Sequence, residues 1–459
     1  MRFEKEGGDS PVELKKECMD GAASRRMSER KPKLLFLAHA FPPWNAAGSV
    51  RLWNIAKHLS RQGWHVTVVA PDPSLMRNAE RPERVAALLA QEGIRRLVTG
   101  YQWRCLSPKD LKCWDQNIGW LAGGACRTIA RGLGIEKALG WVKAAERACS
   151  SLSAQDVDLI LASGSPFVAF RLARKLSDRL DRPYVLDYRD PWTDNPHNAR
   201  PSRISTIREE ANLLEGCAAV TIVSPSWGAA LDRRHGVGAK LHVVTNGYDP
   251  NEMGDVQAYD FGHCAFVYTG IFYPPKRVIS PFLAALKRFK EGLGESNNAW
   301  FFHYYGTDER HVHEQAERFG LSDRVVLHGR VSQREALSAV KGARLAVVIT
   351  SVEDEGTLED KGIVTGKIFE AIGVGTPVLL IAPKGSDAAT TTETTGLVKS
   401  FLGTDLQGMA SFLKDVVHGQ APEPRDVEMF SWPNIAKRLD VVLRETILAD
   451  QLRSSNLSG

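Results

Sequence analysis

The 459 residues are too many for a single hydrophobic core, so the length of the chain predicts two domains of about 200 residues each. Hydrophobic residues (43%) and charged residues (25%) occur in the proportions of an ordinary globular protein, and no apolar run is long enough to span a bilayer. The net charge of +5 suits an anionic substrate but is too small to indicate nucleic acid binding. Seven scattered cysteines without a CxxC pair, and an N-terminus without the apolar core of a signal peptide, predict reduced thiols and a cytoplasmic location.

The first part of the chain predicts a βαβ unit that starts near residue 33. Residues 1–30 are polar and lack periodicity, and we expect them to be disordered. A buried strand at 33–38 leads through a proline-containing loop and a small-residue turn at Gly48 to a helical pattern and a second strand at 65–70. The loop thus follows the carboxyl end of the first strand, where open α/β sheets bind ligands.

The region 75–145 allows two interpretations. It carries many Arg and Lys residues interleaved with four tryptophans: Trp103, Trp114, Trp120 and Trp141. One interpretation is a surface that docks on an anionic membrane or admits a lipid-linked acceptor. The other is an ordinary helical layer with the tryptophans in its core and the charges in solvent. We favour the second, because basic amphipathic helices are common on soluble domains.

Polar residues follow the ends of the next predicted strands. The strand at 183–187 ends in Tyr188-Arg189-Asp190-Pro191-Trp192, and the strands at 157–162, 218–223 and 241–245 also lead into polar turns. Polar side chains at the end of an apolar strand are typical of a functional site. Arg189 and Asp190 are therefore candidate catalytic residues, although they could equally form an ion pair that only holds the loop.

A second α/β series begins after a polar, acidic stretch that we predict to be the interdomain linker, up to about residue 260. Its first strand ends at Gly270, and a basic turn with Lys276 and Arg277 follows. Two consecutive series predict the α/β class, with two Rossmann-like domains facing across a cleft. The predicted domains are an N-terminal one at 31–250, a C-terminal one at 261–425, and a C-terminal helix at 426–450 that packs back on the first.

The stretch from Thr365 to Leu380 carries the strongest local signal. A turn at Gly366-Lys367 opens a short amphipathic segment, which ends before an apolar strand. A helix that begins at such a turn directs free N–H groups and its positive dipole end at a phosphate. Glu370, one turn further in, is directed back toward this end and can accept hydrogen bonds from sugar hydroxyls. The same pattern also occurs in ordinary connections between strands and helices. These residues alone therefore do not distinguish a phosphate site from a structural turn.

Residues 33–447 together resemble a GT-B glycosyltransferase of family 4. The features that carry the resemblance are, in chain order, Phe41-Pro42-Pro43 with Gly48, Asn246-Gly247, Tyr268-Thr269-Gly270, Gly366-Lys367 with Glu370, Gly375-Thr376-Pro377 and Ser431-Trp432. The block from Asp187 to Trp192 is similar to a subset of the family that builds bacterial surface polysaccharides. The resemblance implies retaining transfer of a sugar from a nucleoside-diphosphate donor to a glycan or lipid-linked acceptor.

The resemblance also implies roles for single residues. The C-terminal domain would hold the donor, with Glu370 on the ribose and Lys276 or Arg277 on the diphosphate leaving group. Donor-binding positions that complete the set are Gly48, Gly270, Gly366 and Lys367. A fixed cationic pocket stabilises a departing diphosphate without a metal. Since no compact Asp-x-Asp pair stands at a strand end, we expect neither a metal nor a cofactor.

One departure from the family keeps other functions open. Many relatives carry a glutamate eight positions before the ribose-binding one, where this chain has Gly362; Glu355, Glu359 or Asp360 could substitute for it. A nucleotide-sugar epimerase or hydrolase on the same fold is one alternative. A non-catalytic nucleotide-binding protein is the other. A dehydrogenase is disfavoured, because no GxGxxG follows the first strand. His39 could contribute to catalysis or, as is commoner for a lone histidine, be a loop histidine whose hydrogen bonds are satisfied within the fold.

Overall fold

The computed structural model describes residues 30–44, 48–76, 82–102, 129, 136, 138–196, 201–293 and 299–457. Residues 1–29 of the stretch expected to be disordered, and three of the four tryptophans of the basic region, lie outside the described residues. The fourth, Trp141, is fully buried and donates from Nε1 to Thr99 Oγ1 at 2.6 Å, so it is a core residue as the favoured interpretation expects. In this part of the chain, no helix combines the length and the apolar character needed to cross a bilayer.

The described strands form two parallel sheets. The first has the order β3-β2-β1-β4-β5-β6-β7 and the second the order β10-β9-β8-β11-β12-β13. The strands are β1 Lys33–Leu37, β2 His65–Pro71, β3 Arg95–Thr99, β4 Leu159–Gly164, β5 Tyr184–Tyr188, β6 Ala219–Ile222, β7 Leu241–Val243, β8 Cys264–Thr269, β9 Trp300–Tyr305, β10 Val325–Leu327, β11 Leu345–Ile349, β12 Val378–Ile381 and β13 Val398–Phe401. In each sheet the first strand (β1 or β8) is central. The next two strands along the chain are added on one side of it, and the remaining strands are added on the other side. This is the Rossmann strand order, so the prediction of two Rossmann-like domains is confirmed.

Helices alternate with the strands. They are α1 Ser49–Arg61, α2 Pro82–Gln91, α3 Leu139–Ala148, α4 Val168–Leu180, α5 Ile204–Gly216, α6 Pro225–His235, α7 Pro250–Gly254, α8 Ser280–Gly292, α9 Glu309–Arg318, α10 Gln333–Gly342, α11 Leu358–Lys361, α12 Gly366–Gly373, α13 Asp387–Thr392, α14 Leu406–Val417 and α15 Trp432–Leu457. Local signals set their ends: α10, for example, begins with a capping box in which Ser332 and Glu335 satisfy each other's backbone N–H groups.

Alternate residues of the strands bury the two faces of the second sheet. Phe266, Phe302 and Tyr304 belong to one hydrophobic cluster, whereas Val267 and Tyr305 belong to the other. A parallel strand buried on both faces is a continuous apolar run, which explains why these strands could be found in the sequence.

By its contacts the chain divides into two compact units. The first comprises the described residues up to Leu186, Gly216–Ala219 and the chain from Asp440 on; the second comprises Asp187–Glu215 and Val220–Leu439. Within the first unit, Trp64 Nε1 donates to Asp440 Oδ1 at 2.5 Å and so ties the start of β2 to α15. The domain boundaries inferred from the sequence stay a prediction.

Three histidines at the edge of the second sheet form a hydrogen-bonded chain. His303 on β9 is buried; its Nε2 lies 2.9 Å from Nε2 of His263, and its Nδ1 lies 2.9 Å from Nε2 of His328. Each link needs one nitrogen that carries a proton and one that does not, which neutral imidazoles provide. Burial, and then the neighbouring His328 and His263, lower the pKa of His303 to about 4.

Acid is expected to destabilise the protein through this cluster. The pKa of His303 falls from an ordinary 6.5 to about 4 in the folded state, so the unfolded chain binds the extra proton first as the pH falls. The stability that neutral His303 contributes is complete above the unfolded pKa and is lost as the pH falls toward the folded pKa, by about 3 kcal/mol. Urea unfolding between neutral pH and about pH 4 measures the loss, and His303→Phe should reduce it. An equal pH dependence of both proteins would contradict this assignment.

Candidate functional site

The helix α12 begins where the sequence predicts an anion site. Thr365 is its N-cap and accepts from the backbone N–H of Lys367 at 3.4 Å. The apolar side of the helix is buried, while Glu370 stays half-buried on the other side. Neither the ammonium of Lys367 nor the carboxylate of Glu370 makes an ion pair or hydrogen bond within the described part of the chain. Both groups therefore remain available for a ligand.

Gly270 and Lys367 lie against each other although they come from separate motifs. Gly270 directly follows β8 and has φ +128°, which only glycine adopts without strain. A β-carbon at this position would lie 2.7 Å from Cε of Lys367. The carbonyl of Gly270 accepts from the hydroxyl of Tyr304 at 2.9 Å, which fixes the turn. The structure thus brings together Gly270, Gly366 and Lys367 at the carboxyl end of a central strand.

The two cations of the basic turn have different surroundings. Lys276 Nζ donates to Asp360 Oδ1 at 2.6 Å. Arg277 lies with its guanidinium 5.1 Å from the centre of the Tyr273 ring, and its buried Nε has no hydrogen-bond partner among the described residues. Reciprocal backbone hydrogen bonds of 3.0 Å between Tyr273 and Arg277 close the turn. Lys276 is therefore already paired, whereas Arg277 keeps unused donor capacity.

The position that lacks the expected glutamate is filled by an indole. A β-carbon at Gly362 would lie 2.1 Å from Cδ1 of Trp227. The indole Nε1 donates to the carbonyl of Glu359 at 2.8 Å, and Ser224 Oγ donates to the carbonyl of Gly362 at 2.8 Å. The first hydrogen bond holds the ring and the second holds the backbone of Gly362 against it, so no side chain fits at residue 362.

Arg189 and Asp190 lie in the loop after β5 and form an ion pair with each other at 3.1 Å. This is the loop-holding alternative that the sequence left open, and a catalytic role for either residue stays a prediction. Sequence reasoning missed Glu210 on α5, which is fully buried. It accepts from the hydroxyl of Thr193 in the same loop and lies 3.2 Å from His235 Nε2. No local pattern marked Glu210, because its partners are 17 and 25 residues away.

His39 and Gly48 belong to the first unit. The ring of His39 is buried, hydrogen-bonded to the hydroxyl of Tyr101 and 5.1 Å from the rings of both Trp44 and Trp141. Burial lowers its pKa to about 3, so the ring is neutral. This is the satisfied loop histidine that the sequence offered as the commoner alternative. Gly48 is the N-cap residue of α1, and its donor-binding role stays a prediction.

Comparisons with known proteins show what the chain is similar to. Residues 48–252 match the sequence model of Glycosyltransferase Family 4, and no curated protein sequence matches the chain. The Anabaena protein HepE, solved with UDP and glucose, is 16% identical over 93% of this chain and 99% of its own, with a TM-score of 0.52. The lipopolysaccharide outer core galactosyltransferase WaaB is 12% identical over 90% of this chain and 99% of its own, with a TM-score of 0.54.

A structure with another activity has the same fold. A candidate UDP-N-acetylglucosamine 2-epimerase from Listeria monocytogenes is 13% identical over 90% of this chain and 96% of its own, with a TM-score of 0.51. At such identities the likeness to solved structures shows the fold alone. The chain therefore has the GT-B fold, and its residues 48–252 are similar to Glycosyltransferase Family 4.

Proposed function

We propose that the protein is a retaining hexosyltransferase that moves a sugar from a nucleoside-diphosphate sugar to a glycan or lipid-linked acceptor in cell-surface polysaccharide synthesis. The observation that carries the donor site is the contact between Gly270 and the side chain of Lys367 at the start of α12. Here a glycine turn, a helix N-terminus and an unpaired ammonium come together, and these are the elements that bind phosphate groups in α/β proteins. HepE, which was solved with UDP and glucose, supports a nucleotide sugar as the donor.

Each residue of the donor site has a distinct proposed task. Gly270 lets the backbone approach the diphosphate, and Gly366 and Lys367 supply N–H groups and positive charge. Lys276 and Arg277 stabilise the charge that develops on the leaving diphosphate. Glu370 accepts hydrogen bonds from the ribose hydroxyls.

The surface-polysaccharide role rests on the block from Asp187 to Trp192 and on the likeness to WaaB. The transfer is proposed to take place in the cytoplasm, with peripheral contact at the inner face of the membrane through the region 75–145. The chemistry is proposed to need neither metal nor cofactor, because the pocket supplies fixed cations of its own.

Thermal unfolding with a panel of nucleotides and nucleotide sugars in EDTA tests the donor site first. A ligand that binds only the folded state raises the melting temperature by mass action. We expect one nucleoside diphosphate and its sugar to raise it, which would name the base and show binding without a metal. The absence of a shift with every member of the panel would contradict the proposal.

Replacement of Glu370 by alanine is expected to weaken binding of that nucleotide by roughly 10- to 100-fold, because a charge-assisted hydrogen bond contributes about 1.5–3 kcal/mol. Isothermal titration of the wild type and the variant measures the change. Glu355→Ala is the matched control, since Glu355 is an exposed carboxylate of the same series. Unchanged affinity in Glu370→Ala would exclude the ribose role.

The second candidate function is epimerisation of a nucleotide sugar, which the likeness to the Listeria monocytogenes structure favours. An epimerase converts its substrate without an acceptor, whereas a transferase releases the nucleoside diphosphate in proportion to the sugar transferred. Product analysis with and without an extract of membrane lipids and glycans distinguishes the two. A new nucleotide sugar formed without the extract would replace the transferase proposal.

A further inference from the structure

We propose that Asp360 is a positioning residue that holds the ammonium of Lys276 in place for the diphosphate. This inference rests on the proposed function, because it assigns Lys276 to the leaving group. Since residue 362 is a glycine in this chain, Asp360 supplies the carboxylate of this part of the site.

The surroundings of Asp360 fix its carboxylate. The residue is fully buried at the third position of α11, where its Oδ2 accepts from both the backbone N–H and the hydroxyl of Thr357 at 3.1 Å. Its other oxygen, Oδ1, accepts from Lys276 Nζ at 2.6 Å. Each carboxylate oxygen therefore has its own partner, and one of them is directed at the lysine.

Lys276 is held at both its backbone and its side chain. Its carbonyl accepts from the backbone N–H of Val352 at 2.8 Å, and its side chain remains 27% exposed. A lysine side chain loses about 2 kcal/mol of rotamer entropy when it is fixed. Because Asp360 fixes the ammonium before a ligand arrives, this cost does not fall on the transition state.

Trp227 explains why the carboxylate comes from residue 360. The indole occupies the space in which a side chain at residue 362 would lie, so a carboxylate cannot be placed there. Of the other two acidic candidates, Glu355 is exposed, and Glu359 pairs with Arg233 at 3.5 Å. Asp360 is thus the one of the three candidates that contacts Lys276.

Chemical labelling of Lys276 tests the inference without any nucleotide. An acylating reagent needs the free lone pair of the amine, and the hydrogen bond to Asp360 opposes its release. We expect Asp360→Asn to raise the rate at which Lys276 is acylated, measured by peptide mass spectrometry of the whole folded protein. Glu359→Gln is the control, since the neighbouring carboxylate of Glu359 pairs with Arg233 and not with Lys276. Equal labelling rates in wild type and Asp360→Asn would overturn the inference.

A double-mutant cycle tests the same inference in catalysis. Asp360→Asn should lower kcat by on the order of 100-fold with little change in the KM of the donor, because the cation is displaced and not removed. If Asp360 acts through Lys276, the double variant with Lys276→Ala should be no slower than Lys276→Ala alone. If the kcat losses of Asp360→Asn and Lys276→Ala instead multiply in the double variant, the two residues act independently and the inference is overturned.

Glu359→Gln, one residue away, should keep kcat within about twofold of the wild type. A wild type without any transfer would refute the proposed function, while the labelling result would still decide the role of Asp360.

Discussion

Lys276→Ala/Arg277→Ala is expected to lower kcat/KM for sugar transfer by about 1,000-fold or more. One preorganised donor at a developing negative charge is worth on the order of 100- to 1,000-fold, and this variant removes two cations that lie side by side. Lys276 is directed by Asp360, and Arg277 has an unsatisfied, buried Nε. Initial rates at several donor concentrations measure the loss.

The control for this variant is a second pair of adjacent cations, Lys287 and Arg288 on α8. Its replacement by alanine removes the same charge elsewhere and should leave transfer unchanged. Because Lys276→Ala also takes the partner from buried Asp360, we expect about 1–3 kcal/mol of lost stability, which unfolding measurements at the assay temperature must account for. Near-normal transfer in the folded double variant would mean that the diphosphate is neutralised elsewhere.

Gly362→Glu restores the residue that relatives carry and is nevertheless expected to destabilise the protein by more than about 3 kcal/mol. The first side-chain atom would overlap the Trp227 ring, which a hydrogen bond to the carbonyl of Glu359 holds in place, while Ser224 holds the carbonyl of Gly362. Urea unfolding measures the loss. Even Gly362→Ala should show much of it, since the overlap begins at the β-carbon.

A second substitution separates this overlap from a general effect of losing glycine. In a Trp227→Ala background, Gly362→Ala should cost far less than in the wild type, because the indole that it meets is gone. Gly292→Ala is the control: no atom lies within 4 Å of a β-carbon there, and α8 should be unchanged or slightly more stable. An equal cost of Gly362→Ala with and without Trp227 would contradict the packing argument.

The candidate site was predicted from the sequence only as far as its motifs are local. The turn at Gly366-Lys367 and the glycine after β8 follow from residues that are neighbours in the chain. No local pattern predicts that Gly270 and Lys367 contact each other. Nor does one predict that Lys276 pairs with Asp360, which lies 84 residues away. The same holds for Trp227, whose hydrogen bond to Glu359 spans 132 residues.

The two Rossmann-like series can be found from the order of residues alone, because apolar strands buried on both faces produce continuous runs that alternate with amphipathic helices. The turn at Gly366-Lys367 also marks where α12 begins. The folded chain was needed to show that Asp360, and not Glu355 or Glu359, contacts Lys276, and that the Trp227 indole occupies the place of the missing glutamate. These choices depend on which side chains reach one another through space, and periodicity along the chain carries no such information.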